Sequence, residues 1–282
     1  MYYPYMKKIL LSLTLLPLLL TAKEPLPDDL KLSLGAYFVG NHKTTLNLES
    51  KDGASLGLNL QDLLNMETDT ASIYFDGYYR FTPNHRVEFG YKGVSSKGTT
   101  KNGAKYTLNP NNPDPIVIDL TGTIKSSLDV NIARLVYTYS YYHNDKVELG
   151  VSIGIHRTAI NLNLGASVGN AGGNLKLLIA PPIPLLGVRF AYDIYPEWEV
   201  LFNYDLIALV ADLDLPESPG ITGISGHMSD MTLATEYRFF DNFSAGLAFN
   251  TTNLNFKLKE ETFDLGIDNT VVGFAAYASF RY

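Results

Sequence analysis

The chain has 282 residues, of which 46% are hydrophobic and 18% are charged, and its formal net charge is -7. It contains no cysteine, which excludes disulfides and thiolate metal sites. The acidic balance, with no cluster of Lys or Arg, argues against a nucleic-acid partner, and we expect no cofactor.

Residues 1–22 are predicted to be a signal peptide that is removed on Sec-dependent export. Lys7 and Lys8 precede an apolar run over residues 9–20, and Leu20-Thr21-Ala22 is a plausible cleavage site. Met6 is an alternative start. A membrane anchor is the competing interpretation, but the run is shorter than the roughly 20 residues that a spanning helix needs. We therefore expect a lead-in over residues 23–30 and one domain over residues 31–282.

Alternation of apolar and polar residues dominates the chain after residue 30. In Val147–Ile155, the odd positions are all apolar and the even positions are Glu, Gly or Ser. This period of two is typical of β-strands. Ten strands are predicted, near 31–48, 71–81, 86–96, 123–142, 146–164, 185–195, 198–213, 228–240, 243–259 and 270–282. A hairpin hidden in 96–122 would raise the number to twelve, and eight is the lower alternative.

The breaks between these strands are unequal in length. Four are short, near residues 82–85, 143–145, 196–197 and 241–242, and each follows an aromatic strand end such as "YYRF" or "YRFF". The opposite connections are long. Short turns on one side, long loops on the other and an aromatic girdle are typical of transmembrane β-barrels. We predict an all-β, antiparallel transmembrane β-barrel with both termini in the periplasm. A secreted β-sandwich is the alternative, but it gives no reason for gathering aromatics at one set of turns.

The chain ends in "GFAAYASFRY", with Phe280 and Tyr282 two residues apart. This ending resembles the terminal assembly signal of bacterial outer-membrane proteins, although Tyr277 stands where that signal often has glycine. The stretches "DGYYRFTPNHRVEFGY", "PIPLLGVRFAYDIYPEWEV" and "EYRFFDNFSAGLAFN" are similar to a small proteobacterial outer-membrane barrel family that is largely uncharacterised. The resemblance implies the fold, a place in the outer membrane, contact with its lipids, and assembly by periplasmic chaperones and the barrel assembly machinery. It implies no activity.

Charged residues share the strand face opposite the apolar one, so we expect them to point into the barrel. Eight are basic and eight are acidic, and in a narrow lumen they should pair across strands. The predicted result is a plug of ion pairs, with a selective charged channel as the alternative. The predicted residues are Asp76, Arg80, Arg86, Glu88, Lys92, Arg134, Lys146, Glu148, Arg189, Asp193, Glu199, Asp205, Asp230, Glu236, Arg238 and Arg281.

In four predicted strands the apolar residues move from one strand face to the other about ten residues from the short turn. Either each strand contains a β-bulge, or the strands are continuous and enclose an apolar compartment in the outer half of the lumen. In the second case the compartment holds a hydrophobic or lipid-like molecule. Its predicted walls are Ile160, Leu162, Leu164, Leu209, Leu213, Leu254, Phe256 and Leu258. The apolar segment 166–184 would then be a lid over the compartment or would pack on the barrel wall.

A catalytic function rests on one weak pattern. His227 and Ser229 are two residues apart on one strand face, a spacing that resembles the His-x-Ser arrangement of lipid A deacylases. A Ser–His pair also needs an orienting group and an oxyanion site, and the sequence shows neither. We therefore expect no catalytic or metal site and a structural, binding or narrow transport role. The competing interpretation is a surface lipid-modifying hydrolase.

Overall fold

The structure is a computed structural model that describes residues 29–51, 53, 55–68, 71–101, 105–108, 116–119, 122–168, 171–179, 182–212, 221–260 and 263–282. The predicted signal peptide and most of the predicted lead-in lie outside these residues. Within the described ranges, no helix is long and apolar enough to cross a membrane.

Ten long antiparallel strands form one closed ring. They are β1 (Leu30–Ser50), β4 (Ala71–Thr82), β5 (His85–Lys101), β8 (Thr123–His143), β9 (Val147–Val168), β11 (Pro182–Tyr195), β12 (Trp198–Asp212), β13 (Ile221–Phe240), β14 (Phe243–Glu260) and β15 (Phe263–Arg281). Each pairs with its neighbour in this order, and β15 pairs with β1. The predicted all-β barrel of ten strands is confirmed.

The first and last strands close the ring. Leu30 N–H donates to the Tyr282 carbonyl at 3.0 Å, and Tyr282 N–H donates to the Leu30 carbonyl at 2.9 Å. Pairing between β1 and β15 then runs to Ser50 and Phe263, with one register shift between Val39 and Asn41. Closure gives each barrel strand a neighbour on both sides, as a strand in a membrane requires.

One end of the barrel has the short connections that the sequence predicts. Residues 83–84, 144–146, 196–197 and 241–242 join consecutive strands there, and Leu30 and Tyr282 lie at the same end. Large apolar side chains above these turns are exposed on the outer wall, as a lipid-facing surface requires. They include Tyr139, Tyr141, Tyr192, Trp198, Tyr237, Phe239, Phe243 and Phe280.

Short elements decorate the opposite end. β2 (Ser55–Asn59) pairs with β1, a single helical turn α1 (Leu60–Leu63) follows, and β3 (Met66–Thr68) pairs with β5. β6 (Lys105–Leu108) and β7 (Ile116–Asp119) form a separate two-stranded sheet, so the hairpin suspected in 96–122 exists but adds nothing to the ring.

The segment predicted as loop 166–184 contains β10 (Ala171–Ile179), which pairs with β9 from Ile160 to Val168. β10 therefore extends the barrel wall. This agrees with the second alternative, in which the segment lies at the wall and is not a lid. Residues 263–269, also predicted as part of a loop, are the first residues of β15. Both predictions placed a loop where the structure has a strand.

Candidate functional site

The two halves of the barrel have opposite polarity. β8 has 21 residues and β9 has 22, about twice the 9–11 that a strand needs to cross a membrane. In β14, Leu247 is exposed on the outer wall and Asn250 is buried inside. Higher on the same strand, Asn253 is exposed on the outer wall and Leu254 is buried inside. The barrel is therefore apolar outside and polar inside near the short turns, and the reverse near the other end.

No β-bulge accounts for this reversal in β8, β9 and β14. β8 and β9 pair without a shift from Thr123 to Ser140, and β14 pairs with β15 without a shift over Phe243–Lys259. These three strands stay regular while their surroundings change from lipid to water. A wall in lipid must be apolar, whereas a wall in water encloses its apolar side chains as any soluble protein does. The upper half is thus a water-exposed barrel continuous with the membrane-spanning one.

Polar side chains bond to each other across the outer wall of this upper half. Asp268 accepts hydrogen bonds from Asn47 Nδ2, at 2.6 Å, and from Asn255 Nδ2. On the same face, Thr270 Oγ1 donates to Asn253 Oδ1 at 3.1 Å. Such amide and carboxylate ladders suit a surface in contact with water rather than with lipid tails.

The centre of the lower lumen is crossed by linked ion pairs. Glu88 accepts from Arg86 Nε at 2.8 Å and from Arg189 Nε at 2.9 Å. Arg189 Nη1 also donates to Asp205 at 2.6 Å, and Arg134 Nη2 donates to Asp76 at 2.8 Å. These groups come from β4, β5, β8, β11 and β12, so the network ties opposite walls of the barrel together.

A second group of pairs lies nearer the periplasm. Glu148 accepts from Arg80 and Arg86, at 2.8 and 2.7 Å. Glu236 accepts from Arg281 Nη2 and Lys31 Nζ, both at 2.6 Å. Arg281 Nη2 also donates to Glu199 at 2.6 Å. The remaining predicted members, Asp193 and Arg238, line an open recess of about 330 Å³ at this mouth, together with Lys146.

Above the ion pairs, Lys92 Nζ donates to Asp230 Oδ2 at 2.7 Å and to Asn250 Oδ1 at 2.5 Å. These three residues line a cavity of about 60 Å³, large enough for a few water molecules. His156 also lines it, and the His156 Nε2 atom has no hydrogen-bond partner among the described residues. This layer is the boundary between the charged and the apolar interior.

The apolar interior begins directly above this layer. Ile160, Leu162, Leu254 and Phe256 are buried there, and Leu258 is partly buried against them. β8 contributes Leu128 and Val130, both 0% exposed. The side chains of Leu164, Leu209 and Leu213, also predicted for this wall, lie outside the described residues. We call the region formed by this buried cluster of side chains the apolar compartment.

A short segment closes the apolar compartment from above. This segment, β2–α1–β3 over residues 55–68, is called the lid. Its Leu60, Leu64 and Met66 are buried in the same cluster as the compartment walls. A Cβ at Gly98 would lie 2.4 Å from the Leu64 carbonyl oxygen, so only glycine there allows the lid backbone to approach β5 this closely.

Side-chain hydrogen bonds hold the lid on the barrel. Gln61 Oε1 accepts from the Thr44 backbone N–H at 2.7 Å. Thr68 and Ser96, which are paired residues of β3 and β5, share a hydroxyl–hydroxyl hydrogen bond of 2.8 Å. Asn59 caps α1 by accepting from the backbone N–H groups of Gln61 and Asp62. The lid is thus attached by backbone pairing to β1 and β5, by side-chain hydrogen bonds and by buried apolar side chains.

No family model matches the chain, and no curated protein matches it. Among solved structures, the outer membrane protease OmpT from Escherichia coli matches at TM-score 0.57 and 13% identity, over 93% of this chain and 99% of that one. The chain has the fold of bacterial outer-membrane β-barrel proteins. At this identity the similarity establishes the fold and no activity.

Two other solved structures match more weakly. The translocator domain of the autotransporter NalP from Neisseria meningitidis has 8% identity and a TM-score of 0.40, covering 99% of this chain and 96% of that one. The toluene transporter TodX from P. putida has 11% identity and a TM-score of 0.31, covering 91% of each chain. With its apolar outer belt, this outer-membrane barrel lies in the bacterial outer membrane.

His227 and Ser229 lie on the outer wall of the outer-membrane barrel, above its apolar belt. His227 is exposed and Ser229 is half-buried, and their partners across the strand pairs are Asn255 and Asn253. No hydrogen bond joins the two side chains among the contacts described. Phe280 is exposed on the lipid face and Tyr282 is exposed at the chain end, as a membrane-boundary position requires.

Sequence reasoning missed three features of the interior: one ion pair, two buried tyrosines and the lid. Lys31 is buried and bonded to Glu236, and its position opposite the exposed Leu32 and Leu34 could have revealed it. Tyr37 and Tyr277 are also buried in the lumen, where their bulk separates charged from apolar layers. The lid was missed because its burial depends on a loop folding back, which no periodicity records.

Proposed function

We propose that the protein is a closed outer-membrane barrel that holds one small hydrophobic or lipid-like molecule in the apolar compartment. The reversal of polarity carries this proposal, since it gathers buried apolar side chains inside the barrel on the extracellular side. Largely apolar walls offer binding energy through the removal of apolar surface from water. They offer no path for ions, which need polar or charged groups along their route.

The charged plug supports binding over general conduction. Glu88, Arg189 and Asp205 are all buried, and their mutual contacts cross the lumen below the compartment. A barrel of ten strands is only slightly wider than one whose interior side chains fill. A solute that reached the compartment from outside would therefore stop above the ion pairs, which fits a binding role or a slow, gated transport step.

The lid supplies the way in. Leu60 and Leu64 occupy the top of the compartment, so a bound molecule takes their place when the lid swings outward. Ligand surface then covers the compartment walls that these side chains covered, which offsets part of the cost of opening. Opening also breaks the backbone pairing of β2 with β1 and of β3 with β5, besides the hydrogen bonds to Thr44 and Ser96 that are each worth about 1 kcal/mol, so we expect entry to be slow.

The experiment uses ¹³C-labelled octane and the protein in nanodiscs of deuterated lipid, with labelled Leu, Ile and Val methyl groups. We expect nuclear Overhauser effects between octane and the methyl groups of Leu162 and Leu254. Leu162→Asn should abolish them, whereas Asn163→Ala, on the outer wall of the same strand, should not. Contacts confined to lipid-facing methyl groups such as Ile153 and Leu247 would overturn the proposal.

A surface lipid hydrolase is the second candidate, and the position of His227 and Ser229 is the observation that favours it. Both lie on the outer wall next to the edge of the apolar belt, where lipid headgroups meet the barrel. Under this proposal, purified protein releases fatty acid from lipid A or phospholipid, and Ser229→Ala abolishes the release. Equal release, or none, from the native protein and Ser229→Ala would remove this candidate.

A further inference from the structure

An uncharged polar cluster is embedded in the wall of the apolar compartment. His42 Nδ1 and Ser96 Oγ share a hydrogen bond of 2.9 Å, and His42 Nε2 lies 3.2 Å from Thr44 Oγ1. Asn269 Nδ2 donates to Thr44 Oγ1 at 2.8 Å and to His42 Nε2 at 3.1 Å. All four residues are buried. They come from β1, β5 and β15, so the cluster spans three different strands.

One atom of this cluster has unused bonding capacity. Asn269 is 1% exposed, yet its Oδ1 has no hydrogen-bond partner among the described residues. Buried amide groups are nearly always fully bonded, because water is lost on burial without replacement. The unpaired Oδ1 therefore offers a hydrogen-bonding position to a molecule that enters the compartment.

The position of Asn269 indicates how such a molecule would lie. Leu254 of β14 is its direct cross-strand neighbour, and both side chains point inward. Phe256 follows two residues later on the same inner face, and Thr44 of β1 lies on the other side of Asn269. A molecule lying along Leu254 and Phe256 would thus bring one end to the Asn269 amide.

We propose that the ligand of the apolar compartment is a neutral, hydroxyl-bearing amphiphile whose hydroxyl group bonds to Asn269. This inference rests on the proposed function, since it needs a ligand in the compartment. A hydroxyl group both donates and accepts hydrogen bonds. It therefore satisfies the Asn269 side chain in either orientation of the amide oxygen and nitrogen. Its alkyl chain lies against Leu254, Phe256, Ile160 and Leu162.

The same cluster disfavours a carboxylate head. None of the described contacts of His42, Thr44, Ser96 and Asn269 involves Lys or Arg. The nearest lumenal ammonium group in the layer below, that of Lys92, is engaged by Asp230 and Asn250. Burying an anion without a cationic partner is costly, so an ionised fatty acid should bind less well than the alcohol of equal length.

The test compares 1-octanol, octane and octanoate as probes, with affinities measured by titration of the compartment methyl resonances in nanodiscs. In the native protein we expect 1-octanol to bind about 3- to 10-fold more tightly than octane after correction for partition into lipid, as one hydrogen bond predicts. Octanoate should bind more weakly than 1-octanol. Asn269→Ala should remove the advantage of 1-octanol, and Asn253→Ala, on the outer wall beside it, should retain it.

The outcomes separate the two proposals. Equal affinities for 1-octanol and octane in the native protein, or equal effects of Asn269→Ala and Asn253→Ala, would overturn the hydroxyl proposal and leave the apolar compartment as a binding site. Failure of all three probes to perturb the compartment would overturn both. The comparison within the native protein decides the matter even if Asn269→Ala does not assemble.

Discussion

Leu254 points into the barrel and Asn255, the next residue of β14, points out into solvent. In an outer-membrane barrel the opposite arrangement is expected, and it holds lower on the same strand for Leu247 and Asn250. The relationship marks the height at which the wall leaves the lipid. Everything proposed for function follows from the apolar interior above that height.

The membrane boundary predicts a contrast between two lysine substitutions on the outer face of β14. Leu247→Lys places a charge in the lipid-facing belt and should cost about 2–4 kcal/mol, lowering the fraction of folded barrel in outer membranes. Asn255→Lys lies above the belt and should leave that fraction unchanged. Heat-modifiable mobility on gels measures both. Equal tolerance of the two substitutions would place the boundary elsewhere.

The charged plug predicts a large stability loss at one carboxylate. Glu88→Ala removes one of the two buried carboxylates that pair with each of Arg86 and Arg189 and should cost about 3–5 kcal/mol, as breaking buried pairs does. Glu49→Ala removes an exposed pair with Lys257 and should cost at most about 1 kcal/mol. Urea titration of the barrel in lipid vesicles measures both values. Similar losses for the two variants would argue against a structural plug.

Conductance gives a separate test of closure. The native protein in planar bilayers should show no stepped current, because ion pairs span the lumen below the compartment. Deleting the lid should leave the bilayer silent, since the plug does not depend on residues 55–68. Stepped, ion-selective current from the native protein would instead support the charged channel that the sequence left open.

The chain end predicts an assembly defect. Phe280→Ala should lower the amount of folded barrel in the outer membrane if this residue is part of the signal for assembly. Phe239→Ala removes a similarly exposed aromatic ring at the same boundary and should have little effect. Western blotting of folded and unfolded bands compares them. Matching yields for the two variants would mean that Phe280 acts only as a membrane-facing ring.

Strand positions, topology and the ion-pairing residues followed from the sequence because period-two alternation directly sets which face each side chain occupies. The reversal of parity near Leu254 was also visible, and continuous strands around an apolar interior were one of its two interpretations. The predicted last strand begins at residue 270, whereas β15 begins at Phe263, so part of the loop predicted at 260–269 is strand. A strand that continues into water must exchange its faces, and this requirement explains the pattern without a bulge.

The lid could not be predicted in the same way. Leu60 and Leu64 are ordinary apolar residues in a polar connection. Only the fold brings them into the same buried cluster as Leu128 and Val130. The apolar segment at 166–184 was the more obvious candidate by composition, yet its described part pairs with β9 as wall. Composition identifies segments that avoid water but not the surface that covers them.

The most direct test of the compartment locks its lid. Thr68→Cys/Ser96→Cys replaces two hydroxyl groups that are 2.8 Å apart, which suits a disulfide in a chain without other cysteines. Ser33→Cys/Ser279→Cys is the matched control, since Ser33 and Ser279 form the same hydroxyl pair at 2.8 Å far from the lid. Octane contacts with Leu162 should vanish on oxidation of the 68–96 pair, return on reduction, and persist in both states of the control. Contacts that persist in the oxidised 68–96 variant, or that never form in any variant, would contradict a lidded binding compartment.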